Sequence, residues 1–123
     1  MPLIWIPEPD PRIIRFRATA PPPPIEEIEE RLRELPASVL AGWSGLVLND
    51  ATEFPAPSAE YMRTIIPSFA KLARRAGIRR YAVLTRDVVM YGMGRMAAAL
   101  ADPVLELEAF QDEGTAREWL LRE

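Results

Sequence analysis

Apolar residues along the chain recur with two periods that take turns. Between Arg12 and Ala18 they alternate, with Ile14, Phe16 and Ala18 on one face and Ile13, Arg15 and Arg17 on the other, which predicts a half-buried strand near a sheet edge. From Ile25 to Leu35 the spacing becomes helical. Ile25, Ile28, Leu32 and Leu35 form one stripe, and Glu26, Glu27, Glu29, Glu30, Arg31, Arg33 and Glu34 take the outer face. The glutamates crowd the N-terminal half, where carboxylates suit the helix dipole, so they read as a solvated face rather than an acidic site. Leu46-Val47-Leu48 running into Asn49-Asp50 has the pattern of a buried parallel strand at its C-terminal edge. Pro55, Pro57 and Ser58 then open a long helical pattern carrying Tyr61, Ile65, Phe69, Leu72 and Ala76, with Gly77 placed to stop it. Pro67 inside that pattern predicts a kink or a split, because it removes a backbone hydrogen bond and collides with the preceding turn. Tyr81 to Thr85 is a second buried strand, and Thr85 or Asp87 caps a helix over roughly Val88 to Ala101 that Asp102-Pro103 ends. Leu105, Leu107 and Ala109 alternate with Glu106, Glu108 and Phe110 as a last strand. Asp112 then caps a closing helix with Ala116, Trp119 and Leu120 turned inward.

Eight of the 13 prolines fall in the first 24 residues, so the N-terminal fifth is short extended pieces, Leu3 to Ile6 among them, divided by rigid turns. Pro21 to Pro24 read as a stiff connector into the first helix rather than as a ligand for a polyproline-binding domain. Strand and helix alternate from there to the end. This predicts an α/β fold with a mostly parallel sheet, crossover helices and one antiparallel strand added from the N-terminus. A length of 123 residues fits one domain spanning 1–123.

Composition narrows the chemistry. Fifteen basic against 18 acidic residues give a net charge of -3, which argues against nucleic acid as a partner. The sequence contains no Cys and no His, which excludes thiol nucleophiles, imidazole bases, Ser-His pairs and thiolate or imidazole metal sites. Catalysis would need convergent carboxylates, a tyrosine or the single lysine, Lys71, on a stretch expected to be exposed. A non-enzymatic protein without cofactors is the expectation. The apolar runs are short and the N-terminus lacks a signal-peptide pattern, so a cytoplasmic protein is expected, with membrane contact at most peripheral.

Gly92-Met93-Gly94-Arg95-Met96-Ala97 formally matches a glycine-rich dinucleotide fingerprint, but it begins seven or more residues after the strand, inside an expected helix. Close helix packing or local looseness explains two glycines there better. Around them lie Met90, Tyr91, Met93 and Met96, and the Pro67-interrupted helix contributes Tyr61, Met62 and Phe69. Methionines and aromatics re-pack readily, so two weakened neighbouring helices could part around an apolar ligand or partner. Ordinary core is the competing reading of the same residues. Arg95 could form an ion pair or hold an anionic head group. Ser58, at a helix start, is an N-cap and a candidate phosphorylation site. Asp50, Glu53, Asp87 and Asp112 near strand ends could hold magnesium, but each is explained more simply as a cap or turn residue.

Leu46 to Asp50, Pro57-Ser58-Ala59-Glu60-Tyr61, Ile78 to Leu84, Gly92 to Met96, Ala109 to Asp112 and Ala116 to Leu120 together resemble the bacterial SpoIIAA-like family, the STAS/CRAL-TRIO-type domains. The resemblance covers about residues 12 to 122. It implies a single sheet of about five strands with helices largely on one side and a cavity beneath movable helices. It further implies a small regulatory or carrier protein that reversibly binds a non-polar, lipid-like ligand. The gating helix would hold Met90 to Met96, and Tyr61, Phe69, Tyr91 and Arg95 would join its methionines at the ligand. The alternative it implies is a protein-binding regulator, a homodimer among its candidate forms, resembling anti-sigma-factor antagonists. Their Asp-Ser-Ser-Gly turn is replaced here by Asp50 to Ser58, which leaves Ser58 as the nearest hydroxyl and weakens that alternative.

Overall fold

The computed structural model describes residues 3–6, 13–18, 25–33, 45–52 and 58–122. Strands β1 (Leu3–Ile6), β2 (Ile13–Ala18), β3 (Leu46–Asp50), β4 (Arg80–Leu84) and β5 (Glu106–Phe110) form one sheet in the order β1-β2-β3-β4-β5. β1 pairs antiparallel to β2 and the other three pairings are parallel, as the alternation of elements predicts. Among the described residues the helices are α1 (Ile25–Arg33), α2 (Ala59–Arg75), α3 (Val88–Ala101) and α4 (Glu113–Leu121). The proline breaks at 7–11 and 21–24, Leu35, the turn around Trp43 and the segment 53–57 lie outside the described residues. So do the side chains of Phe16, Ala18, Ile25, Ile28 and Leu32.

Parallel register puts Val47, Tyr81 and Leu107 in one row on one face, and Leu48, Ala82 and Glu108 in a row on the other. On the first face α2 and α3 bury Met62, Ile66, Phe69, Ala70 and Ala73, and Met90, Ala97 and Ala101, over Val47, Tyr81, Val83 and Leu107. α1 packs beside α2. Among the described residues the second face is covered by α4, whose Ala116 and Leu120 meet Ile13, Leu46, Leu48, Ala82 and Leu84. Of the described helices, three thus share one side and the closing helix takes the other.

Pro67 does not split its helix. α2 runs 17 residues without interruption, with the proline on its exposed side. Gly77, at φ +96°, follows the C-cap residue Ala76 of that helix, in the left-handed region that a side chain would strain. Gly45 is also left-handed, and a Cβ there would lie 2.4 Å from the Gly77 carbonyl oxygen, so the turns leading into β3 and β4 close on each other through two glycines.

Candidate functional site

The Met-rich face is built by small residues on α3. Met90, Gly94, Ala97 and Ala101, at spacings of four, three and four, form its buried stripe. Gly94 lies so close to β5 that a Cβ would come within 2.6 Å of the Ala109 Cβ, whereas one at Gly92 would meet nothing within 4 Å. Gly94 is therefore a packing glycine. Gly92 loosens an exposed helical turn without a packing reason. Both sit inside a continuous helix, which removes the strand-to-helix turn that a dinucleotide loop requires.

Phe69 and Met90 are both in the buried cluster, and the Phe69 ring meets the Tyr81 ring edge-on, centroids 5.0 Å apart. Tyr61, Met93 and Met96 pack half-buried against that cluster. These five candidate residues are brought together. Tyr91 and Arg95 stand apart from the cluster, one turn from each other along α3, with Arg95 exposed. Val88 and Val89 open the helix at 74% and 61% exposure, a large apolar display immediately before the buried Met90. Sequence reasoning passed over that pair.

It also passed over a polar pair under the same helices. Asn49 shares the parity of Val47 on β3, so it projects to the α2–α3 face, where its Nδ2 donates to the Tyr81 hydroxyl at 3.0 Å. Burial pushes the Tyr81 phenol well up, against the opposing pull of the Asn49 hydrogen bond. Asn49 Oδ1 is buried without a hydrogen-bond partner among the described residues. The parity of Val47 and Asn49 was the available signal.

Asp50, Asp87 and Asp112 have structural partners. Asp50 accepts from Arg15 at 2.6 Å and from the Thr52 hydroxyl at 2.6 Å, and Arg15 also reaches Glu113 at 3.1 Å. Burial alone would raise the Asp50 carboxyl, but the Thr52 and Arg15 hydrogen bonds outweigh it and hold the group below its ordinary range. Asp87 and Asp112 cap α3 and α4 through the amides of Val89 and Thr115. Ser58 caps α2 by accepting from the Tyr61 amide at 3.0 Å. Glu53 lies outside the described residues, and no cluster of three acidic side chains suited to a metal occurs among those described. Lys71 is exposed on α2.

The sheet order, the antiparallel β1 and the placement of the helices can be compared with solved structures. An uncharacterised protein of the DUF3478 family from Shewanella loihica PV-4, with a SpoIIAA-like fold, matches with a TM-score of 0.59 over 96% of this chain and 91% of that one, at 22% identity. This chain has a SpoIIAA-like fold. No family model and no curated protein matches it. In this SpoIIAA-like fold every crossover helix begins at the C-terminal edge of the sheet, so Ser58, Val88, Val89 and the Asn49 end of β3 all lie toward one edge. A shared fold locates that edge and leaves its chemistry to these residues. No described helix is long and apolar enough to cross a membrane.

Proposed function

We propose that this chain is a non-catalytic binding module that reversibly takes up an apolar, lipid-like ligand between α2 and α3, under the methionine-bearing helix. The observation that carries the reading is the apolar continuity along the first turns of α3. Exposed Val88 and Val89 lead to half-buried Met93 and then to Met90 and Phe69 within the cluster. In the described arrangement those side chains pack against one another, so uptake requires α3 to shift and the methionines to re-pack. Flexible thioether side chains favour that rearrangement, and Gly92 lowers the stability of the turn that must move.

A second reading rests on the same valines. With the side chains of the cluster closed over one another, an exposed apolar pair at the edge that also carries the Ser58 helix start suits a protein-binding regulator. Native mass spectrometry of freshly purified protein, followed by denaturing extraction and lipid analysis, separates the two. The ligand reading expects a stoichiometric apolar species released on denaturation. A bare monomer or dimer mass that stays bare after incubation with lipid vesicles would shift the assignment to the regulator.

A further inference from the structure

Amid the apolar cluster between the sheet and α2 and α3 lies a polar pair. Asn49 stands beside Val83 in the register of β3 and β4, and Tyr81 is a buried member of the cluster that holds Phe69 and Met90. The pair is only half satisfied: Asn49 Nδ2 donates to the Tyr81 hydroxyl at 3.0 Å, while Oδ1 is buried without a partner among the described residues. A desolvated acceptor left unpaired is costly, so its presence in an otherwise apolar cluster calls for a donor. Burial raises both the Tyr81 and the Tyr61 phenols, and Tyr61, on the first turn of α2, adds to the rise of Tyr81. Glu27 of α1 adds, after burial, to the rise of the Tyr61 phenol. An unpaired carbonyl oxygen takes a hydrogen-bond donor, and an ionised carboxylate or an ether, each acceptor-only, has no hydrogen to give it.

We infer that the ligand of this face has an apolar body and a neutral hydroxyl or amide head, and that the head donates its hydrogen to Asn49 Oδ1. This rests on the proposed uptake of an apolar ligand between α2 and α3 and adds the chemistry of its polar end. Long-chain alcohols, acylglycerols with free hydroxyls and fatty amides fall in the class. Ionised fatty acids and ethers fall outside it.

The test uses isomeric probes of equal composition, n-octanol and heptyl methyl ether, titrated calorimetrically into the full chain, with octanoate as the anion. The wild-type protein should prefer the alcohol over the ether by about tenfold, the worth of one hydrogen bond to an otherwise unpaired buried acceptor. Octanoate should bind most weakly. Asn49→Leu should remove the alcohol preference while retaining ether binding, which also reports that the variant is folded. Equal binding of alcohol and ether by the wild-type protein would overturn the assignment of the head group while leaving apolar uptake standing. Binding of none of the three would overturn uptake itself and this inference with it. Because the alcohol-to-ether comparison is made within the wild-type protein, it decides the matter even if Asn49→Leu does not fold.

Discussion

The two faces of the sheet solve the same covering problem by opposite means. On the α2–α3 side a broad apolar cluster does the work, with methionines at its margin and the Asn49–Tyr81 pair as its polar interruption. On the α4 side the apolar contact is small, and charged groups fasten both ends of the helix. Arg15 ties Glu113 at the start of α4 to buried Asp50 on β3, and Arg80 on β4 donates to the carbonyls of Trp119, Leu120 and Arg122 at its end. Arg80 also pairs with Glu106 at 3.2 Å and lies 6.0 Å from the centre of the Trp119 ring. Directional bonds hold one arrangement, whereas apolar contacts between flexible side chains tolerate several. The proposed uptake accordingly assigns the fixed role to the α4 face and the adaptable role to the α3 face.

The largest test of that contrast is Asp50→Ala. Removing a carboxylate whose side chain is 4% exposed leaves Arg15 and Arg17 without their shared partner, and urea denaturation should show a loss of about 3 kcal/mol. Acid tests the same site. Burial would raise the carboxyls of Asp50 and Glu113, but hydrogen bonds from Thr52 and Arg15, and from Arg117 and Arg15, hold both below their ordinary values. Groups depressed in the folded state stabilise fully above their unfolded values near about 4 and lose that contribution as pH falls through the folded ones. Stability should therefore drop below about pH 4, and less steeply in Asp50→Asn than in the wild type.

Next in size is Gly94→Ala, which forces a Cβ to within 2.6 Å of the Ala109 Cβ and should cost about 1–3 kcal/mol in the same assay. Arg80→Ala strips the end of α4 of its donors. A loss of about 1–2 kcal/mol is expected, with amide exchange accelerated in α4 and unchanged in α2. Gly92→Ala has the smallest and opposite effect, a gain of about 0.5–1 kcal/mol, because the new methyl meets open space and the helix loses a flexible residue. A destabilising Gly92→Ala would show that the turn is strained rather than merely loose.

Most of the fold could be read locally. The period switches at Ile25, Ser58 and Val88 marked helix starts, Asp87 and Asp112 served as their own caps, and Gly77 ended α2. Pro67 misled in part, because a proline on the exposed side of an otherwise well-packed helix is tolerated where the tertiary contacts on the opposite side hold the chain. The site was harder. Phe69 and Met90 stood out as bulky apolar residues on helical stripes, but Asp50 acquires its meaning from Arg15, 35 positions away, and Arg80 from carbonyls some 40 positions on. No local pattern carries such pairings. Asn49 was within reach of parity with Val47, yet its role depends on Tyr81, which the register of β3 and β4 brings alongside.

The proposed uptake requires the α3 face to yield to an apolar ligand while the α4 face does not. The methionines report on it directly: four of the five, Met62, Met90, Met93 and Met96, lie on α2 and α3, and Trp119 marks the other face. Carbon-13 methyl spectra of methionine-labelled protein should be recorded during titration with n-octanol. The account predicts saturable shifts at Met90, Met93 and Met96 with the Trp119 indole signal unmoved. Methionine signals that stay in place, or that move only together with Trp119, would contradict it.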